Sequence, residues 1–450
     1  MSNVRNFGAM GDGCNDDSDA IYHAIHKGDG VLYFPPGRYL ISKTIELDLR
    51  TRGPVGIAGA VGAASLVMAG AGPALRLVGT HDGTGDPDTA SDSVNRSERM
   101  PVVSDLEIVG TSPKADGIEC VRTKQGLFRS LVIRNVRHGI HLVERNRNVL
   151  ITHCHIYHNS GAGVFLDGVN LHQINIADSH ISYNRLGGIR IERSEIRNLQ
   201  VTGNDIEYNN HASHGTDPEP TAEIYVDTTE PGSSVNEITI ASNTIQATPS
   251  PEGSNIRIHN EVESGRKPGL WSITGNVIGN QQVNVHLAGC HGMVFSGNCI
   301  YSSEQQNMLI ENSEQVLIGN NLFRRHTPSL GTGVRVENCS RINIHGCTFQ
   351  DESETGQLSA LPLLELIRSE LVTITGCQLV DGVPEGVSVK DCSLVNIMGC
   401  TITDQRKVPL MQHAIAFRGQ GKGNRVSGNI IAGSSRQPVW AESNVELSRE

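Results

Sequence analysis

Asp167, Glu192 and Asp227 each close a short stretch of one pattern, apolar–x–apolar–acid: Val164-Phe165-Leu166-Asp167, Ile189-Arg190-Ile191-Glu192 and Ile224-Tyr225-Val226-Asp227. Ile256-Arg257-Ile258-His259, Val283-Asn284-Val285-His286, Met308-Leu309-Ile310-Glu311 and Val334-Arg335-Val336-Glu337 repeat the pattern with other end residues. Successive side chains of a strand face opposite ways, so the aliphatic residues turn inward and the others outward. Stacked in register about 4.8 Å apart, such strands form two outward columns. One is Phe165/Arg190/Tyr225/Arg257/Asn284/Leu309/Arg335, and the other is Asp167/Glu192/Asp227/His259/His286/Glu311/Glu337. Acids and bases far apart in the chain then meet in one trough.

Carboxylates on neighbouring rungs cannot all ionise freely, so at least one pKa is expected to rise. A raised and an ordinary carboxyl together are the equipment of glycosidic bond cleavage. Neighbouring rungs hold carboxyls roughly 5 Å apart, a separation that suits a covalent glycosyl intermediate. Glu192 and Asp227 are therefore the leading catalytic pair, with Asp167 and Glu311 as further catalytic candidates. Arg190, Tyr225, Arg257, His259, His286 and Arg335 are expected to bind substrate. β-Elimination on a uronate sugar is the alternative chemistry. Arg190 or Arg257 would then offset the sugar carboxylate, and Tyr225 or a histidine would take the proton. A polar face that binds or merely solvates, without turnover, is the third reading. His259, His286 and Glu311 are ligand types for several divalent ions, but histidines on adjacent rungs more often meet substrate. No metal and no cofactor are expected.

The chain has 450 residues, a formal net charge of −11, 49 glycines and only 4% aromatic residues. Its acidity and lack of a basic cluster argue against nucleic acid as a partner. No apolar run approaches the roughly 18 residues that span a bilayer, so no membrane partner is expected. Met1-Ser2-Asn3-Val4 shows no charged-then-apolar leader, which points to the cytoplasm, or to secretion if a leader has been removed. Two tryptophans and few other rings suit short oligosaccharides better than a long stacking cleft. Of ten cysteines, Cys347, Cys377 and Cys400 fall at equivalent points of successive repeats, as a ladder of buried thiols. The cluster from His153 to His158 reads as structural.

The elements that must position these groups are written in a repeat. Gly203-Asn204, Gly275-Asn276, Gly297-Asn298, Gly319-Asn320, Gly346-Cys347, Gly376-Cys377 and Gly399-Cys400 recur, the shortest spacing being about 22 residues, one three-strand coil of a solenoid. Insertions at 211–220, 247–253, 325–331 and 351–360 precede the outward strands, and shorter ones at 228–233 and 260–267 follow them. Insertions at the margins of one sheet wall it in.

Ahead of the repeat, Phe7-Gly8-Ala9 with Gly11-Asp12-Gly13, Asp16-Asp17-Ser18 with Ala20-Ile21, and Phe34-Pro35-Pro36-Gly37-Arg38-Tyr39-Leu40 resemble the N-terminal module of the pectate-lyase-like, "pectate lyase 3" group. That resemblance implies an all-β fold: a right-handed parallel β-helix of three-strand coils with a short N-terminal capping helix. Residues 1–45 would be the cap and first coil, and 46–450 one continuous β-helix domain. A helix started by Asp17 or Ser18 would bury Ile21 and Ile25. Asp12, Asp16 and Asp17 would be turn and cap residues. The group holds glycosidases, lyases and phage tailspikes, so a carbohydrate substrate is implied, and relatives often form homotrimers. Polygalacturonase, calcium-dependent pectate lyase and D-P-H epimerase motifs are missing. The stretch from Gln306 to Phe323 is loosely similar to coils of the inulin fructotransferase family, whose acids act on fructosyl links.

Overall fold

The computed structural model describes residues 1–209, 222–261, 267–325, 333–351 and 361–449. Several of the expected walls, at 211–220, 326–331 and 352–360, lie outside these residues. The chain groups into two compact units, one of residues 1–214 with 222–238, the other of 215–221 with 239–450. Each is a right-handed parallel β-helix.

In the first unit the strand Val164–Ala177 bends at Gly168 and Gln173, and His180–Ser182 completes the coil. Ile189–Glu192, Glu195–Thr202 and Asp205–Glu207 make the next coil, paired parallel to the one before. Inward residues of these strands, among them Leu166, Ile191, Ile176, Val201, Ile181 and Ile206, are fully buried. Each such side chain contributes on the order of 1.5–3 kcal/mol relative to exposure. Alternating residues such as Asp167, Asn175, Glu192 and Gln200 stay at least partly exposed, which fixes the face.

Corners, more than strands, hold the stack. Glu144, Gly168 and Arg193 adopt left-handed backbone at one corner, and Asn148, Gln173 and Asn198 at the next. His153, Asp178 and Gly203 do so at the third corner, and His158, Tyr183 and Tyr208 at the fourth. A non-glycine residue there costs roughly 1–2 kcal/mol. The cost is offset by inward side chains that satisfy buried amides. The Cys154 N–H donates to Ser179 Oγ (3.1 Å), and the Ser179 N–H to Asn204 Oδ1 (3.1 Å). In the second unit Asn243, Asn276, Asn298 and Asn321 form the same ladder, each N–H donating to the next Oδ1 at 2.9–3.0 Å. The Asn321 N–H then meets Cys347 Sγ at 3.5 Å. Cys347, Cys377 and Cys400 are buried, as their repeat positions indicated, and all ten cysteines are free.

The helix Ser18–Lys27 buries Ile21 and Ile25. Its start differs from expectation. Asp17 makes no cap bond; its buried carboxylate accepts the N–H groups of Met10 (2.6 Å) and Gly11 (3.0 Å). Asp16 accepts the Ser18 N–H instead, at 2.9 Å. The carboxylate two residues ahead of the first turn is better placed than the one adjoining it. No helix among the described residues is long and apolar enough to cross a membrane.

A second inner ladder in the first unit ends on a charge-bearing group. Asn159 Nδ2 donates to Asn184 Oδ1 (2.8 Å), Asn184 Nδ2 to Asn209 Oδ1 (2.7 Å), and Asn209 Nδ2 to Glu223 Oε2 (2.5 Å). Glu223 is 0% exposed, and burial pushes its pKa well above 4.5. The folded state thus holds a proton that the unfolded chain releases. Its stabilising effect is complete below pH 4.5 and drains as pH rises above that value, by about 1.4 kcal/mol per pH unit within the window. Glu223→Gln keeps the acceptor and removes the titration. The variant is expected to match the parent in acid and to exceed it near neutrality in urea unfolding. Parallel stability–pH curves for the two proteins would rule this out.

Candidate active site

The outward columns of the first unit form in register as the strand pattern required. Asp167 pairs with Glu192 and Glu192 with Asp227; Phe165 pairs with Arg190 and Arg190 with Tyr225. The first column extends further back than the pattern suggested, through His141, Glu119 and Arg76. Each carboxylate is filled by donors from within the protein. Arg190 donates to Glu192 Oε1 through Nε at 2.6 Å, and Arg193 Nη1 stands 3.1 Å from Oε2. Arg193 also donates to Asp167 Oδ1 from Nε (3.1 Å) and Nη2. Asp227 Oδ1 accepts the Thr229 N–H (2.8 Å) and hydroxyl (2.7 Å), while Oδ2 accepts the Tyr225 hydroxyl (3.2 Å).

Burial works against the Asp167 carboxylate, but bonds from His141 and Arg193 outweigh it and hold its pKa below the usual range. Burial, with Asp227 beside it, pushes the Tyr225 phenol up, so Tyr225 keeps its proton. Arg190 is only 7% exposed; its guanidinium lies 4.4 Å over the Tyr225 ring and also donates to the Leu186 carbonyl. Arg190 and Tyr225 are therefore a packed pair beneath the trough. Arg193, between Asp167 and Glu192, is an exposed cation, its side chain 49% accessible.

His141 completes the far end. Its Nε2 lies 3.2 Å from Asp167 Oδ2, and its Nδ1 stands 3.8 Å from Glu119, beyond hydrogen-bond reach. Where Nε2 donates to Asp167, Nδ1 is the ring nitrogen turned toward Glu119. The ring stacks on Phe165 at 5.2 Å, and His138 packs on both rings. Burial, then the neighbouring His141, lowers His138 to about 4, so this imidazole is neutral. Its Nδ1 accepts the Ala162 N–H at 3.2 Å, which makes it a strut.

Family comparison places the fold firmly. Residues 1–66 match the family described as rhamnogalacturonase A/epimerase, pectate lyase-like; residues 96–245 match right handed beta helix region; and residues 221–446, about half of the chain, match periplasmic copper-binding protein (NosD). The chain belongs to the pectate-lyase-like right-handed parallel β-helix proteins. The match over residues 221–446 makes it a member of the NosD family as well. The description of that family names copper. Among the described residues of this β-helix protein, no group of three or more His, Cys, Asp or Glu side chains could hold a metal ion.

Among curated relatives, mannuronan C5-epimerase AlgE6 of Azotobacter vinelandii is 38% identical over 84 residues, 17% of this chain and 10% of that protein. Alginate lyase 7 of the same organism is 54% identical over 44 residues, 9% of this chain and 5% of that one. The match thus spans a tenth or less of these relatives' length. The solved A-module of A. vinelandii mannuronan C-5 epimerase AlgE4 is 17% identical with 99% of both chains covered and a TM-score of 0.43, a likeness of fold alone.

In the second unit of this β-helix protein one register differs from the strand pattern. Arg257 pairs with His286, and His286 with Leu309, so His286 belongs to the Arg257 column and not beside His259. Asn284, expected outside, is fully buried; it accepts from Asn255 (3.0 Å) and donates to Asn307 (2.7 Å). The inner amide ladder decides the register over the strand pattern. His286 Nε2 still reaches Glu311 Oε2, at 2.7 Å, and this bond lowers the Glu311 pKa. Arg335 turns from Glu311 to Glu365, 2.9 Å away. Glu311, Arg257, His286 and Arg335 thus share one face of that unit.

Three residues of the first-unit site escaped the sequence pattern. Glu119 and His141 sit in Ile118-Glu119-Cys120-Val121 and Ile140-His141-Leu142-Val143, which have the same alternation but end in valine. Arg193 follows its strand and so lies outside the alternation. Arg193→Asn keeps a residue that tolerates the left-handed corner and removes the cation between two acids. The depressed Asp167 pKa contributes stability above 3.8 that is lost as pH falls through the folded value. The variant is expected to be less stable by roughly 0.5–1 kcal/mol at neutral pH, with the gap closing below pH 4. A gap that stays constant with pH in urea unfolding would mean that Asp167 does not depend on Arg193.

Proposed function

We propose that the first-unit trough acts on a uronate-containing polysaccharide by abstracting the proton on the carbon next to the carboxylate, with chain cleavage by β-elimination. One observation carries this reading: the acceptor oxygens of Asp167, Glu192 and Asp227 are all occupied by donors of the protein itself. Glycoside hydrolysis needs a carboxyl that faces the leaving oxygen with its proton. Proton abstraction needs a cation for the sugar carboxylate and a base beside it.

Arg193 and His141 meet those needs, both held by Asp167. Arg193 is the accessible guanidinium and can take the uronate carboxylate, which acidifies the neighbouring C–H. His141 Nδ1 takes that proton, while Asp167 on Nε2 orients the ring and steadies the imidazolium. The electron pair left on C5 forms the C4–C5 double bond as the C4–O4 bond breaks. The proton then passes from His141 to the departing oxygen. Returning it to the opposite face of the same carbon would be epimerisation, which shares the first step. The curated relatives named mannuronan C5-epimerase and alginate lyase support an acidic glycan as the substrate class, although their matches are short.

Hydrolysis by Glu192 and Asp227 keeps one observation in its favour, their adjacent rungs in register. The test is incubation with a panel of uronate polysaccharides in deuterated water, read by ultraviolet absorbance of unsaturated products and by deuterium at C5. Unsaturated ends or deuterated C5 are expected. His141→Ala should reduce the rate by about 10²–10⁴-fold with the fold intact. New reducing ends without unsaturation would establish hydrolysis instead. Unchanged rates in His141→Ala and Arg193→Ala would dismiss this site.

A further inference from the structure

The segment from Thr80 to Met100 interrupts the repeat, and buried groups hold it down. Arg147, 5% exposed, donates to the carbonyls of Thr84 (3.0 Å), Gly85 and Asp86 (2.9 Å). Arg145 donates to the Gly83 carbonyl at 2.6 Å and pairs with Asp82. The buried Glu98 carboxylate accepts the Thr80 N–H (2.6 Å) and hydroxyl (2.7 Å), tying the segment's ends together. Gly85 lies so close to the His172 ring that a Cβ would stand 2.4 Å from its Nδ1. Four hydrogen bonds and an ion pair from two arginines would be a large commitment for a mere connection. They make this segment a fixed wall.

Between that wall and the second strands of the first unit lies a cavity of about 710 Å³. That is the size of a small-ligand site. The trough runs along the first strands, so the two are separate. The cavity floor combines Leu127 and Leu150, paired in register, with Asn175 on the following rung. Beside them Gln125, Asn148 and Gln173 occupy successive left-handed corners and line the same space. Gln173 Oε1 is buried without a hydrogen-bond donor. The wall supplies Arg96 and Arg99. Arg96 has only a loose pairing with Asp92, at 3.7 Å, with both side chains largely exposed.

Each part of this lining has a counterpart on a sugar. Leucine side chains take the C–H face of a pyranose. Corner amides about 4.8 Å apart present one donor–acceptor group per rung, on the scale of one sugar unit. The corner amides of Gln125, Asn148 and Gln173 line the space in which sugar hydroxyls would lie. The guanidiniums select a carboxylate over a neutral ring. We propose that this cavity is a second carbohydrate-binding site, which holds a short acidic segment of glycan apart from the trough. Its acidic preference follows from its own arginines, so it stands whether or not the trough performs elimination.

Calorimetric titration of the full chain with short oligogalacturonate and oligomannuronate, and with a neutral cello-oligosaccharide, tests it. At least one oligouronate is expected to bind, with affinity falling as salt rises, and the neutral sugar to bind far more weakly. The double variant Arg96→Glu/Arg99→Glu lies on exposed side chains and should weaken binding about tenfold or more. Leu150→Trp, on an exposed position of the cavity floor, should weaken it by filling the space. Arg193→Ala and His141→Ala should retain this binding even where they abolish turnover. Binding lost in the trough variants and kept in both cavity variants would overturn the cavity site while leaving the trough reading intact. Equal affinity for the neutral sugar, or no oligouronate binding in the parent, would overturn it too. Turnover that fails while the cavity variants still show their loss would count against the trough alone.

Discussion

The bond from a buried corner N–H of one coil to an inward side-chain acceptor of the next is the constraint on which this structure depends. Parallel strands cannot be closed by short hairpins, so every coil must turn corners whose amides point into the stack. An asparagine there answers two needs at once. Asn298 Oδ1 takes the Asn276 N–H, and its Nδ2 gives to the Ile273 carbonyl. A slip of one residue would leave buried donors empty along the ladder, at about 1–3 kcal/mol each. Register is therefore set inside the coil, and the outer columns inherit it. Where the ladder passes from Asn321 to Cys347 the acceptor becomes sulfur and the bond lengthens to 3.5 Å. The ladder returns to an amide at Asn429, whose Oδ1 takes the Cys400 N–H at 2.8 Å.

The same corners decide which outward groups meet solvent. Arg190 sits mid-strand, and its side chain lies flat along the rungs under Tyr225 and against Glu192. Arg193 sits on the left-handed corner just beyond, where the backbone turns away and the side chain leaves at the trough's edge. From that edge it spans the acids of two rungs. Two arginines three positions apart thus take opposite parts: one packs the floor, the other faces outward. Phe165 makes a comparable division on the other side. It fills the space between Arg190 and His141 in the column, so the imidazole rests on a ring and is turned toward Asp167.

Much of this was legible in the sequence because the determinants are periodic. The alternating strands, the Gly-Asn and Gly-Cys corners and the N-terminal module all recur or match as short local strings. Asp167, Glu192 and Asp227 could be aligned from their strand endings alone. His286 could not. Val283-Asn284-Val285-His286 and Val285-His286-Leu287-Ala288 fit one alternation equally well, because a shift of two residues preserves the face. The arbiter is Asn284, whose partners Asn255 and Asn307 lie far away in the chain. Glu223 was hidden for a related reason. Nothing in Ala222-Glu223-Ile224 marks that carboxyl as buried until Asn209 is seen to donate to it. Arg193 was missed because the pattern describes strands, and corner residues carry no alternation.

Net charge and site charge pull in opposite directions in this protein, and distance decides between them. At −11 the whole chain repels an acidic polymer. That repulsion is spread over a surface whose charges are screened beyond about 10 Å at moderate ionic strength. Within that radius the local arrangement governs. Arg193 at the trough is balanced by two acids, so it can orient a carboxylate without gripping it. Arg96 and Arg99 stand at the cavity, with Asp92 loosely paired to Arg96 at 3.7 Å. The proposed trough and the proposed cavity site thereby differ in local charge, the arginine of the first lying between two acids and the pair of the second being less offset.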